Sequence, residues 1–308
     1  MTRHPRIELS ADRIHVDGDV GVRLIGVEPG SEVTLAAELV DDRDTAWRAE
    51  ACFAADWIGT VDVVRDAPLS GSYTGVDPHG LLWSLAPVPP AQYESFKRSA
   101  GEAGCRRHAL GMPHYDDERP DRVTFTASAG ERRLATATLV RERYPGSVTK
   151  TEVRDGNLRG LLWQPHDHED APGVMLLSGS GGGVSGAAGP LLAAHGLTVL
   201  DLAYFNYPDL PDHLVDIPLE YFREGLEWLR ARLGHDRIAI QGASRGGEAV
   251  LAIAAAFPEL VTAVVGVVPG DLYALGRNDP GGVKPSWTHG GEPLPLGMSP
   301  EEVAALQS

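Results

Sequence analysis

Through much of the first 140 residues apolar positions recur at every second residue, the period of strands that bury one face. Val33, Leu35, Ala37 and Leu39 alternate with Thr34, Ala36 and Glu38, and Trp47, Ala49, Ala51 and Phe53 alternate with Arg48, Glu50 and Cys52. Val123, Phe125 and Ala127 repeat the pattern, and Leu134 and Thr136 do so less cleanly. Turn formers such as Asp17-Gly18-Asp19 and Pro29-Gly30-Ser31 separate the runs. Many short strands between turns predict an N-terminal β-sandwich of immunoglobulin-like type. Within it, the aromatic- and glycine-rich stretch 71–85 reads as a packed loop, and 87–120, with five prolines, as a long irregular connection.

Near Arg141 to Gly146 the texture changes, which divides the chain into a sandwich over 1–143 and a second domain over 144–308. Strands then alternate with helical stretches. A strand pair is expected at 148–153 and 158–164, further strands at 174–177 and 198–202, and a helix near 190–195. Phe222, Leu226, Leu229 and Leu233 form an apolar stripe on a helix over 218–233, which Gly234 stops. Strands 237–242 and 261–268 flank an alanine-rich helix. Strand and helix in alternation imply βαβ units and a parallel sheet, so the second domain is of α/β class. The glycine- and proline-rich stretch 269–295 reads as loop, and 300–306 as a short helix.

Composition narrows the function classes. A net charge of −16 argues against a nucleic-acid partner, because phosphate recognition usually appears as a basic excess. Cys52 and Cys105 are too few for a disulfide framework and read as thiols. The N-terminus has no apolar core behind its basic residues, and no run of about 18 apolar residues occurs, so no membrane association and a cytoplasmic location are expected. The basic residues Lys97, Arg98, Arg106 and Arg107 read as a solvated charge run, with phosphate contact as the alternative.

The chemistry centres on Gly242-Ala243-Ser244-Arg245-Gly246-Gly247-Glu248, placed between an apolar strand and a helix. That context is the one a Gly-x-Ser-x-Gly nucleophile elbow requires, and it makes Ser244 the candidate nucleophile. Ser178-Gly179-Ser180-Gly181-Gly182-Gly183 follows a buried strand, where a hydrolase of this class places half of its oxyanion hole. The backbone N–H groups of Ser180 and Arg245 are the expected donors. A dinucleotide-binding reading of the same glycines fails, since Val184 stands at the third glycine position. His166-Asp167-His168-Glu169-Asp170 reads as a solvated turn, and neither a metal nor a cofactor is expected. After Ser244 the only histidine is His289, in a loop-like stretch, and the acids Glu248, Glu259, Asp271 and Asp279 follow no convincing strand. No base is therefore assigned.

Three further stretches carry a specific resemblance: residues 71–85, the run Leu202-Ala203-Tyr204-Phe205-Asn206-Tyr207-Pro208-Asp209-Leu210-Pro211, and Leu219-Glu220-Tyr221-Phe222. With the elbow, they resemble the acyl-CoA thioesterase and bile acid-CoA:amino acid N-acyltransferase family over nearly the whole chain. The resemblance implies an N-terminal β-sandwich before an α/β-hydrolase domain, and hydrolysis of acyl-CoA through a serine acyl-enzyme. Family members that transfer the acyl group to an amino acid tend to carry cysteine at the elbow, so Ser244 favours water as acceptor. The family's acid and histidine lie on later strands, past Ser308, so the resemblance implies a domain lacking its last strands and a chain with little turnover. Two alternatives stay open: an N-acyltransferase, and a non-catalytic chain that at most binds acyl-CoA.

Overall fold

The computed structural model describes residues 4–41, 45–88, 119–143, 146–166, 170–186, 188–270, 273, 275–278 and 282–296. The basic residues between 97 and 107, Cys105, Asp271, Asp279 and the expected helix at 300–306 lie outside them. The chain forms two compact units, Met1–Arg143 and Tyr144–Ser308. No described helix is long and apolar enough to cross a membrane.

Among the described residues the first unit holds two sheets. Arg6–Leu9, Val22–Ile25 and Thr60–Asp62 make a small antiparallel sheet. The larger one is built on Arg132–Glu142, Asp121–Ala129, Glu32–Val40 and Ala46–Ala54. The alternation decides what is buried: Val33, Leu35, Leu39, Trp47, Phe53, Val123 and Phe125 all face a common core. Leu35 stands opposite Ala51 and Ala37 opposite Phe125, so large and small residues interdigitate. The pairing shifts register between Arg133 and Ala135, which is why Leu134 and Thr136 break the period. The stretch 71–85 packs as expected but is not all loop. Gly80–Trp83 makes a helical turn, and a Cβ on Gly80 would come within 2.3 Å of the buried Tyr73 ring. Cys52 is a free thiol in a strand, pushed up in pKa by burial first and by Glu32 second.

In the second unit the sheet strands are β1 (Val148–Asp155), β2 (Leu158–Pro165), β3 (Gly173–Leu177), β4 (Thr198–Ala203), β5 (Ile238–Ala243) and β6 (Ala263–Val267). Their order is β1-β2-β4-β3-β5-β6, with β1 and β2 antiparallel to their neighbours and the other four parallel. Three helices follow the strands: α1 (Ala188–Ala194), α2 (Leu219–Leu233) and α3 (Arg245–Ala256). Helix α2 buries Leu219, Phe222, Leu226 and Leu229, each worth about 1.5–3 kcal/mol. Gly225 lets it close on β4, where a Cβ would meet Leu202 at 2.9 Å. Gly234, at φ +71°, ends the helix in the left-handed conformation. Stretch 269–295, expected as loop, instead contains short strands. Leu275–Asn278 pairs with Gly282–Pro285, and Trp287–His289 pairs with Ile217–Pro218 and Glu292–Pro293. Runs of two to four residues carry too little alternation to be read as strands.

Candidate active site

Strand β5 runs in the middle of the parallel strands and ends at Ala243, one residue before the serine. Ser244 then takes φ +53° and ψ −115°, outside the allowed regions for a residue with a side chain. Neighbouring contacts hold that bend. The Ser244 N–H donates to the carbonyl of Val267 on β6 at 2.9 Å, and the Ser244 carbonyl accepts from Glu248 N–H at 3.0 Å, starting α3. The glycines are sterically required. A Cβ on Gly242 would lie 2.2 Å from the carbonyl oxygen of Gly246, and one on Gly246 would lie 2.3 Å from that of Ser178. Ser244 is exposed, and its hydroxyl makes no hydrogen bond among the described residues.

The glycine loop comes to the same place. A Cβ on Gly179 would sit 3.4 Å from Ser244 Cβ, so the loop backbone passes beside the serine. Gly182 N–H closes a turn on the Gly179 carbonyl at 3.1 Å, with Ser180 exposed at its tip and its amide unbonded among the described residues. The aromatic run after β4 holds this loop from behind. Tyr204 donates its hydroxyl to the Ser178 carbonyl at 2.7 Å, Gly183 N–H donates to the Phe205 carbonyl at 2.8 Å, and Asn206 Nδ2 donates to the Gly181 carbonyl at 2.8 Å. Burial pushes the Tyr204 hydroxyl well above its ordinary pKa, so it remains a proton donor. Arg154 and Arg159 both pair with Asp209 and anchor the far end of the run.

All five described non-glycine residues with positive φ, Asn206, Asp209, Asp216, Ser244 and Val268, lie in this unit. Three of them follow the ends of β4, β5 and β6, the carboxyl edge where open α/β sheets bind ligands.

The remaining sequence candidates separate from this point. His289 pairs with Glu220 at 3.1 Å and packs edge-on to Phe257 at 5.5 Å. Phe257 caps the end of α3 opposite Ser244. At the helical rise the two ends of this 12-residue helix are about 18 Å apart, which removes His289 as the base. Glu259 is exposed beside that same far end. Of the histidine-rich turn, only His166 and Asp170 fall within the described residues. An open groove of about 610 Å³, lined among others by Arg159, Asp209, Tyr221 and Glu227, includes none of the elbow residues.

Two features escaped sequence reasoning. Asn206 and Tyr204 act as supports of the glycine loop, where the sequence marked them only as part of a resemblance. Glu248, weighed as a possible triad acid, is buried in an ion pair with Arg245 at 2.7 Å and accepts from the Trp287 indole at 2.7 Å. Its partner stands 39 residues along the chain, beyond the reach of local pattern.

The family described as "Acyl-CoA thioester hydrolase/BAAT N-terminal region" matches residues 17–155, and the "alpha/beta hydrolase fold" family matches 174–299. Acyl-coenzyme A thioesterase 1 of Rattus norvegicus is 34% identical over 266 residues, covering 85% of this chain and 59% of that protein. The mitochondrial acyl-coenzyme A thioesterase 2 of Homo sapiens is 34% identical over 262 residues, covering 83% of this chain and 50% of its own. The chain thus spans between half and three fifths of these relatives' length. Among solved structures, the esterase Est22 aligns over 40% of this chain and 44% of its own, with a TM-score of 0.33 and 24% identity.

Proposed function

The chain belongs to the acyl-CoA thioester hydrolase/BAAT family, with an N-terminal β-sandwich followed by an α/β-hydrolase domain, and from that premise we propose that Ser244 is the nucleophile for acyl-CoA hydrolysis. The observation that carries the reading is the exposed Ser244 at φ +53° with the backbone of Gly179 against it. Ser244 Oγ attacks the thioester carbonyl and gives up its proton to solvent water. The oxyanion forms between the backbone N–H groups of Ser180 and Arg245, the thiolate of CoA leaves and takes a proton, and water then releases the acid from Ser244. A thiol with a pKa near 8.5 leaves readily, so the first step depends more on deprotonating serine than on protonating the leaving group.

No histidine among the described residues bonds Ser244, so we expect slow turnover resting on binding and the oxyanion hole. The N–H donors still accelerate acylation, since one such donor is worth about 100- to 1000-fold.

Thiol release from a chain-length series of acyl-CoAs, with and without glycine or taurine, tests the reading. A single turnover of thiol lost in Ser244→Ala is the expected result. Acyl-glycine or acyl-taurine outpacing free acid would replace hydrolysis with transfer, and no Ser244-dependent thiol from any acyl-CoA would overturn the proposal.

A further inference from the structure

Both expected oxyanion arms lean on one buried cluster. Glu248 sits one helical turn after Ser244 with its side chain 3% exposed. One carboxylate oxygen accepts from Arg245 Nη1 and the other from Trp287 Nε1, each at 2.7 Å. Arg245 Nη2 reaches on to the Ser286 hydroxyl and, at 3.2 Å, to the Leu275 carbonyl. The side chain of the residue expected to give one oxyanion donor is thereby tied to Leu275 and Ser286 directly and to Trp287 through Glu248. The Trp287 ring is equally buried and stands 5.8 Å from the ring of Tyr204, which in turn holds the Ser178 carbonyl at the root of the other arm. Phe222 closes the cluster, 6.0 Å from Trp287 and 5.3 Å from Tyr204.

A buried carboxylate that serves only stability is poorly chosen, because an apolar residue of similar volume often does as well. What this carboxylate supplies is direction. It fixes the Arg245 guanidinium at one edge while Ser286 and Leu275 hold another, and a planar fork held at several points restrains the residue's backbone. A helix start also favours an anion, which suits Glu248 to this position.

We propose that Glu248 and Trp287 are positioning residues that hold the Arg245 and glycine-loop amides in register around Ser244. The inference rests on the acyl-enzyme reading for its catalytic consequence but not for its structural one. Glu248→Gln keeps the volume and an acceptor for Trp287 while turning a donor toward Arg245. The backbone amides themselves remain, so any loss comes from their placement.

In single-turnover experiments with a long-chain acyl-CoA, the acylation rate of E248Q is expected to fall about 10- to 100-fold, less than for deletion of a donor. The dissociation constant, titrated calorimetrically in a Ser244→Ala background, stays within about twofold of wild type. The Arg245 amide order parameter, from ¹⁵N relaxation, is expected to fall from about 0.85 toward 0.6. Rate and order parameter both unchanged in a folded variant would overturn the proposal. Should E248Q fail to fold, Trp287→Phe, which removes one donor and keeps an aromatic ring, undergoes the same measurements, and an unchanged rate and order parameter overturn the proposal there too. If wild type itself gives no acylation, the functional reading fails, and the order parameter alone still decides whether Glu248 positions Arg245.

Discussion

Replacing Gly246 by alanine sets two physical effects against each other. Helix propensity favours alanine in α3 by at most about 1 kcal/mol. Packing opposes it: the new Cβ would lie 2.3 Å from the Ser178 carbonyl oxygen and 2.7 Å from that of Leu177. Both are backbone atoms at the end of β3, so no side chain can swing aside, and the helix start must move off the sheet by about 1 Å to restore ordinary contact. Overpacking of this kind costs about 1–3 kcal/mol, and displacing the Ser178 carbonyl strains its bond from Tyr204, worth about 1 kcal/mol more. Sterics win, and G246A should be less stable by about 2 kcal/mol, seen as a fall of roughly 4–8 °C in the unfolding midpoint. The same movement separates Arg245 from the glycine loop, so single-turnover thiol release should drop about 100-fold or more. Gly181→Ala is the control for stability, since a Cβ there meets nothing within 4 Å. A raised midpoint for G246A, with acylation within twofold of wild type, would refute the close contact between α3 and the β3 loop.

Ser244→Gly should stabilise the fold by about 1 kcal/mol by relieving the φ +53° conformation while abolishing thiol release, which paired denaturant melts and activity assays check. Asn206→Gly keeps the positive φ but removes the bond to Gly181; acylation should fall about tenfold with less than about 1 kcal/mol lost in urea titration. Burial, with Asp77 adding to it, pushes the Tyr73 hydroxyl up to about 12 from an unfolded value of 10. As pH rises above 10 the unfolded chain releases its proton first, so the stability Tyr73 contributes is intact below pH 10 and lost as pH climbs through about 12. Tyr73→Phe should flatten that alkaline loss in pH-dependent melts and, since the hydroxyl is unpartnered among the described residues, add about 1 kcal/mol at neutral pH.

How far the sequence could be read depended on whether a residue's partner lay within one period of it. Alternation exposed Val33 to Leu39 and Trp47 to Phe53 because each strand buries its own face over nine residues. The stripe Phe222, Leu226 and Leu229 was legible for the same reason on a helix. Ser244 was legible because its bend forces glycine at 242 and 246, a local steric demand that leaves a local trace. Trp287 left none. Its strand has three residues, and its role comes from Glu248 and Tyr204, which belong to other elements. The base could not be found either, and the geometry of Phe257 and His289 now disposes of the one histidine that followed the serine in the chain.

Strand β6 is paired on one side only among the described residues, and all five of its residues are exposed, with Val265 at 46% and Val267 at 43%. An open ladder flanked by valines, with no lysine, proline or bulge within it, can receive a further strand. A strand laid beside it would brace β6 from its open side, and through the Val267 carbonyl that steadies the serine it would stiffen the bend itself.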